Sequence, residues 1–178
     1  MSDRLPIEIN PWRLIEQRRQ LHGVLPLAQL PRVQEVTVAD TAGEFEVSLD
    51  FLTSESGLPM IEGWVRGRLE LVCQRCLEPM SQAVDAVVRV VLTASQTDRQ
   101  PEEAGYELCI VDDERLHLPD FVEDEILLAL PVSPRHESCE PARPLQEVSA
   151  AELAEIDGQG KTNPFAALKN LKDWNRTE

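Results

Sequence analysis

Residues 44–51 read EFEVSLDF and residues 64–71 read WVRGRLEL. In the first stretch Phe45, Val47, Leu49 and Phe51 alternate with Glu46, Ser48 and Asp50. In the second, Val65, Gly67, Leu69 and Leu71 alternate with Trp64, Arg66, Arg68 and Glu70. A period of two puts one set of side chains against a core and the other in solvent, the pattern of half-buried strands. Outward from these stretches, Val36 and Val38 give an earlier alternating segment, Ala86–Val91 a more fully buried run, and Tyr106–Val111 a fifth strand. Ala42-Gly43, Ser56-Gly57 and Glu78-Pro79 mark turns between them. Strands joined by short turns predict an antiparallel sheet or a small barrel.

Two segments carry helical signals before the C-terminal part. Asn10-Pro11 forms an N-cap and N1 pair, and the spacing of Trp12, Ile15 and Arg19 predicts a helix over 11–22. Arg13, Arg18 and Arg19 would project from it, either as a basic cluster or as an ordinary solvated face. In PDFVEDEILLAL (119–130), Val122, Ile126, Ala129 and Leu130 follow helical spacing, with acids in the first turn and Pro131 as the stop. That helix is expected to pack on the sheet, so the fold class is α+β.

The polar stretch 141–162 reads as a flexible acidic linker. In 163–178, Asn163 and Pro164 start a short amphipathic helix whose edge is Phe165, Leu168 and Leu171. Such a helix either docks on a partner or folds back on its own domain. The expected organisation is therefore one α+β domain over 1–140, a linker over 141–162 and a docking helix over 163–178.

The formal net charge is -15, which excludes indiscriminate nucleic-acid binding, because phosphate attraction needs clustered Lys and Arg. The excess is uneven: residues 95–160 carry 17 acids and 4 bases, whereas residues 1–94 carry 13 acids and 9 bases. The first half thus has room for a local RNA surface, and the second half suits a basic partner. Arg66 and Arg68 share a strand face with Trp64, and Arg75 follows in the next turn. Basic and aromatic side chains on a sheet suit RNA contact. Cross-strand pairing with Glu44, Glu46 or Asp50 is the structural alternative.

The N-terminus shows no basic segment followed by an apolar run, and no run approaches the ~20 residues of a membrane helix. A cytoplasmic protein is expected, so its four cysteines are reduced thiols or metal ligands. Cys73-Gln74-Arg75-Cys76 has the spacing of a zinc knuckle, and His136 and Cys139 after the Pro131 and Pro134 turns complete a Cys₃His set. Structural zinc and free thiols both remain open. Cys109 is expected as a small buried residue. No nucleophilic triad, P-loop or dinucleotide fingerprint is visible, so neither a catalytic centre nor a small-molecule substrate is expected. The triplets Asp112-Asp113-Glu114 and Glu123-Asp124-Glu125 are poor Mg²⁺ cages, since neighbours on a helix point apart.

LELVCQRCLEPM, VEDEILLALPVSPRHESCE and NPFAALKNLK, in that order, resemble the YceD family, described as large ribosomal RNA subunit accumulation proteins. The opening PWRLIEQRRQLHGVLPLAQLPRV is similar to that family's N-terminal segment. The matching residues are Cys73, Arg75 and Cys76, then Glu123, Glu125 and Leu130-Pro131, then Asn163-Pro164-Phe165. Some relatives have a cysteine-rich stretch after the Leu-Pro turn; this chain has only His136 and Cys139 there. The resemblance implies a non-enzymatic bacterial factor for processing or accumulation of large-subunit rRNA. Its genes commonly neighbour that of a large-subunit ribosomal protein. Expected partners are this rRNA or its precursor and a basic ribosomal protein. Two alternatives are a metal-dependent ribonuclease and a chaperone for one basic ribosomal protein.

Overall fold

The computed structural model describes residues 4–94, 106–111 and 114–142. The chain divides into two units, Met1–Ala142 and Arg143–Glu178. All but the first two residues of the expected linker, and the whole expected docking helix with Phe165, Leu168 and Leu171, lie outside the described residues.

The first unit is α+β. In chain order it runs β1 (Glu8–Ile9), α1 (Pro11–Glu16), β2 (Gln20–Pro26), a 3₁₀ turn (Leu27–Gln29), α2 (Pro31–Val36), β3 (Glu44–Thr53), β4 (Pro59–Val72), β5 (Pro79–Thr93), β6 (Glu107–Ile110), β7 (Leu116–His117) and α3 (Leu118–Ala129). Strands β2 to β6 form an open sheet in sequence order, while β1 and β7 form a separate antiparallel pair. Among the described residues the sheet does not close, so the barrel alternative is replaced by an open sheet. Its β2–β5 pairs are antiparallel, whereas β6 runs parallel to β5.

The alternation read from β3 and β4 sets the core. Phe45, Val47, Leu49, Phe51, Val65 and Leu69 are each at most 1% exposed. In β5, Ala86, Val88 and Val90 join them, but Val87 faces outward at 78% exposure. Gly67 lies opposite Phe45 in the β3–β4 register, and a Cβ there would meet the Phe45 ring at 2.5 Å. The missing side chain is what lets that ring pack closely against the neighbouring strand. Helix α3 covers β5 and buries Phe121, Val122 and Ile126, as its spacing predicts.

Two predicted elements are corrected. The helix expected over 11–22 ends at Glu16, and residues 20–26 are a strand. Arg18 takes a left-handed φ of 48°. Its N–H donates to the Ile15 carbonyl at 3.0 Å, and the Arg19 N–H donates to the Leu14 carbonyl at 3.0 Å. This is a Schellman stop built without glycine. Arg13 therefore sits on α1 while Arg18 and Arg19 sit beyond it. Likewise, Val36 belongs to α2 rather than to a strand with Val38.

Helix α2 has no side-chain cap of its own at Leu30. Its cap comes from α3: the fully buried Glu123 accepts from the Arg32 and Val33 N–H groups at 2.7 and 3.2 Å. Asp124 pairs with the Arg32 guanidinium at 2.6 Å. Glu125 turns toward β6, where burial first, then Glu107 and Asp124, push its carboxyl up to about 7. Two of the three consecutive acids thus engage Arg32 at the start of α2, through its backbone and its guanidinium, and the third turns away from it. No helix among the described residues is long and apolar enough to cross a membrane.

Glu123→Leu strands the buried Val33 N–H and the part-buried Arg32 N–H and should cost on the order of 2–4 kcal/mol in urea unfolding. Glu123→Gln, which keeps one acceptor oxygen for both, should lose less than half of that. The raised Glu125 value means the folded chain holds more protons than the unfolded one between about pH 4.5 and 7. Stability from this group is therefore full below that window and lost as pH rises through it. Thermal melts from pH 5 to pH 7.5 should show a smaller fall for Glu125→Gln than for the parent chain.

Candidate functional site

Strands β4 and β5 pair without interruption from Met60 opposite Val91 to Val72 opposite Pro79. Their turn is the Cys-Gln-Arg-Cys knuckle. The Cys73 N–H donates to the Glu78 carbonyl and the Leu77 N–H to the Cys73 carbonyl, both at 2.9 Å. Leu77 takes a left-handed φ of 64°, which lets so short a turn close.

The chain after α3 comes to this turn. Pro131 ends the helical run, and the segment beyond is held by backbone bonds from the Gln74 N–H to the Pro134 carbonyl (2.8 Å) and from the Ala142 N–H to the Arg75 carbonyl (3.0 Å). His136 and Cys139 thereby meet Cys73 and Cys76. The four ligand atoms all lie within 4.8 Å of one another, Cys73 being buried and the others half-buried. Cys73 and Cys139 sulfurs are 3.7 Å apart, and Cys76 Sγ is 3.3 Å from His136 Nδ1. A tetrahedron with Zn–S bonds of about 2.3 Å has edges of about 3.8 Å, so this donor set fits Zn²⁺ in size and in chemistry. Among the described residues no other group of three or more His, Cys, Asp or Glu ligand atoms is gathered this closely.

The electrostatics also suit a cation. Burial raises the Cys73 thiol, but the N–H groups of Cys76, Arg75 and His136 outweigh it and bring it down to about 5. At Cys76 the Glu78 N–H favours the thiolate, yet burial and the adjacent Cys73 and Cys139 hold the thiol above its ordinary value. Crowded sulfurs cannot all ionise together without a positive charge among them. Three thiolates and a neutral imidazole around Zn²⁺ carry a net charge of about −1. Arg75 is placed to offset it: Nε donates to Cys139 Sγ at 2.9 Å and Nη2 to the His136 carbonyl at 3.0 Å.

The six arginines proposed for RNA contact are accordingly dispersed. Arg75 is turned into the Cys₃His cluster. Arg66 pairs with Asp85 at 2.8 Å and lies over the Trp64 ring at 4.4 Å, and His22 meets the same ring edge-on. The partner of Arg66 is thus on β5 and not among Glu44, Glu46 and Asp50. Arg68 is exposed and has no ion pair among the described residues. Arg13, Arg18 and Arg19 are exposed near the start of β2, whose Gln20 lies opposite Asp50. Sequence reasoning missed the roles of Arg75 and Glu123. The position of Glu123 beside Val122 and Ile126 on the buried stripe was the available signal for its burial.

Residues 61–172 match the family described as "Large ribosomal RNA subunit accumulation protein YceD". The chain is also 34% identical over 176 residues to the Large ribosomal RNA subunit accumulation protein YceD of Haemophilus influenzae, covering 95% of this chain and 97% of that protein. No solved structure matches the chain.

Arg75→Ala should lower the urea unfolding midpoint, because it removes two bonds that hold the 136–139 segment to the knuckle. Arg68→Ala should shift stability by less than about 0.5 kcal/mol. Equal effects would contradict the inward role of Arg75.

Proposed function

The chain belongs to the YceD family, and from that membership we propose that it supports accumulation of large-subunit ribosomal RNA by binding, not by catalysis. The observation that carries this reading is the Cys₃His cluster at the end of the β4–β5 hairpin. With Cys73, Cys76, His136 and Cys139 all as ligands, Zn²⁺ would have no open position for a reacting water, so its role is structural. It would clamp the hairpin turn to the segment after α3, and Arg75 would balance its charge.

The proposed partners are large-subunit rRNA or its precursor and a basic large-subunit ribosomal protein, met in the cytoplasm. Arg66 and Trp64 offer a stacked cation and ring to an unpaired base, with Arg68 beside them on the same strand face. Arg13, Arg18 and Arg19 would add phosphate contacts from the N-terminal side. The acidic second half faces the protein partner. Residues 1–140 would act as the folded body, 141–162 as a tether, and Phe165, Leu168 and Leu171 as the apolar edge of a docking helix.

The protein-chaperone version draws support from one observation: Arg66 already has Asp85 as its partner, so an RNA phosphate must compete for it. In cells depleted of the protein, the parent chain should restore the ratio of large- to small-subunit rRNA, while Cys73→Ser with Cys139→Ser should not. Arg66→Glu with Arg68→Glu should remove the protein from large-subunit precursors in a sucrose gradient. Unchanged co-sedimentation would move the contact to the protein partner. Cleavage of precursor rRNA by purified protein in Mg²⁺, abolished by chelator, would overturn the binding reading.

A further inference from the structure

Away from the cysteine cluster, β6 and α3 wall an open groove of about 600 Å³. Its α3 side is lined by Cys109, Leu116, Phe121, Leu127 and Leu128, and it borders Leu108 and Ile110 along the β6 edge. Two of these are well exposed, Leu128 at 70% and Ile110 at 41%. Around them stand four acids, Glu107, Asp120, Asp124 and Glu125. The groove's own basic groups are already engaged: Arg32 with Asp124 at 2.6 Å and His117 with Asp120 at 2.9 Å. Glu107 and Glu125 have no ion-pair partner among the described residues.

Strand β6 is one of the two edges of the described five-stranded sheet and pairs only with β5. One row of its backbone N–H and C=O groups therefore has no strand partner among the described residues, which is a template for an added strand. The register fixes what such a strand would meet. Glu107 lies opposite the core-facing Val90, so it faces α3, while Leu108 and Ile110 point to the other side of the sheet.

We propose that this groove binds an extended basic segment of a protein partner, added along β6, in which Lys or Arg alternates with aliphatic residues. On the α3 side, cationic heads meet Glu107 and Glu125 while their aliphatic stems lie over Leu128 and Phe121. On the opposite side, aliphatic side chains lie beside Leu108 and Ile110. The same acids repel phosphate, so RNA is not the occupant. Burial and neighbouring acids hold the Glu125 carboxyl high in the free chain, and an incoming cation would relieve that repulsion. This inference rests on the reading of the acidic half as the side that meets basic protein, and it gives that side a location.

The test uses the full chain and a fluorescein-labelled peptide, Lys-Val-Lys-Val-Lys-Val, followed by fluorescence anisotropy. Binding should weaken about tenfold in Glu107→Lys and measurably in Glu125→Gln, and fall steeply with salt. Glu55→Lys, the same charge change in the β3–β4 turn, should leave it unchanged. The same residues arranged in blocks (Lys-Lys-Lys-Val-Val-Val) should bind more weakly, as should Glu-Val-Glu-Val-Glu-Val. Melts of each variant confirm folding, and Glu125→Gln serves if Glu107→Lys does not fold. No binding of the alternating basic peptide, or equal binding by the parent and both groove variants, would overturn the proposal. So would a concentration-dependent dimer dissolved by Glu107→Lys, since the occupant would then be a second copy. Failure here alongside restored rRNA accumulation in cells would remove the groove and leave the family reading standing.

Discussion

Two backbone hydrogen bonds govern the site's geometry: Gln74 N–H to the Pro134 carbonyl and Ala142 N–H to the Arg75 carbonyl. They join segments some sixty residues apart in sequence and bring two half-sites, neither sufficient alone, into one. The long β4–β5 register delivers Cys73 and Cys76 to the tip of a rigid hairpin. Helix α3, seated on β5 and locked to α2 through Glu123, aims the chain after Pro131 back at that tip. A slip of one residue in the hairpin would reverse every side chain on it and separate the ligands.

Charge is organised around the same frame. The outward face of the sheet mixes signs, with Arg66 against Asp85 and Arg89 against Glu62. On the β6–α3 side, Glu107 and Glu125 line a groove without an ion-pair partner among the described residues. A net charge of -15 thus does not describe a uniformly repulsive surface. It is a sum over faces that differ in how far their acids are paired.

Much of this was legible in the sequence, and the failures have physical causes. Strands β3 and β4 could be read because each has one buried and one solvated face, which writes a period of two. Cys73, Cys76, His136 and Cys139 could be read as one set because ligand chemistry restricts which residues qualify, whatever their separation. The end of α1 was hidden because its stop uses Arg18 at positive φ, without the glycine that normally announces it. Helix α2 was hidden because its cap is a glutamate supplied from residue 123, a tertiary contact with no local signature. The parallel pairing of β6 was hidden because strand pattern does not encode direction. Arg75 looked like an RNA contact because a sequence shows its charge but not the sulfur at which it points.

The geometry at the hairpin tip turns on whether the Cys₃His cluster holds zinc. X-ray absorption at the zinc edge, on full-length protein purified without added metal, addresses this directly. The prediction is about one zinc per chain with three sulfurs at about 2.3 Å and one nitrogen at about 2.0–2.1 Å. Less than about 0.1 zinc per chain, or a shell of oxygen and nitrogen only, would contradict it.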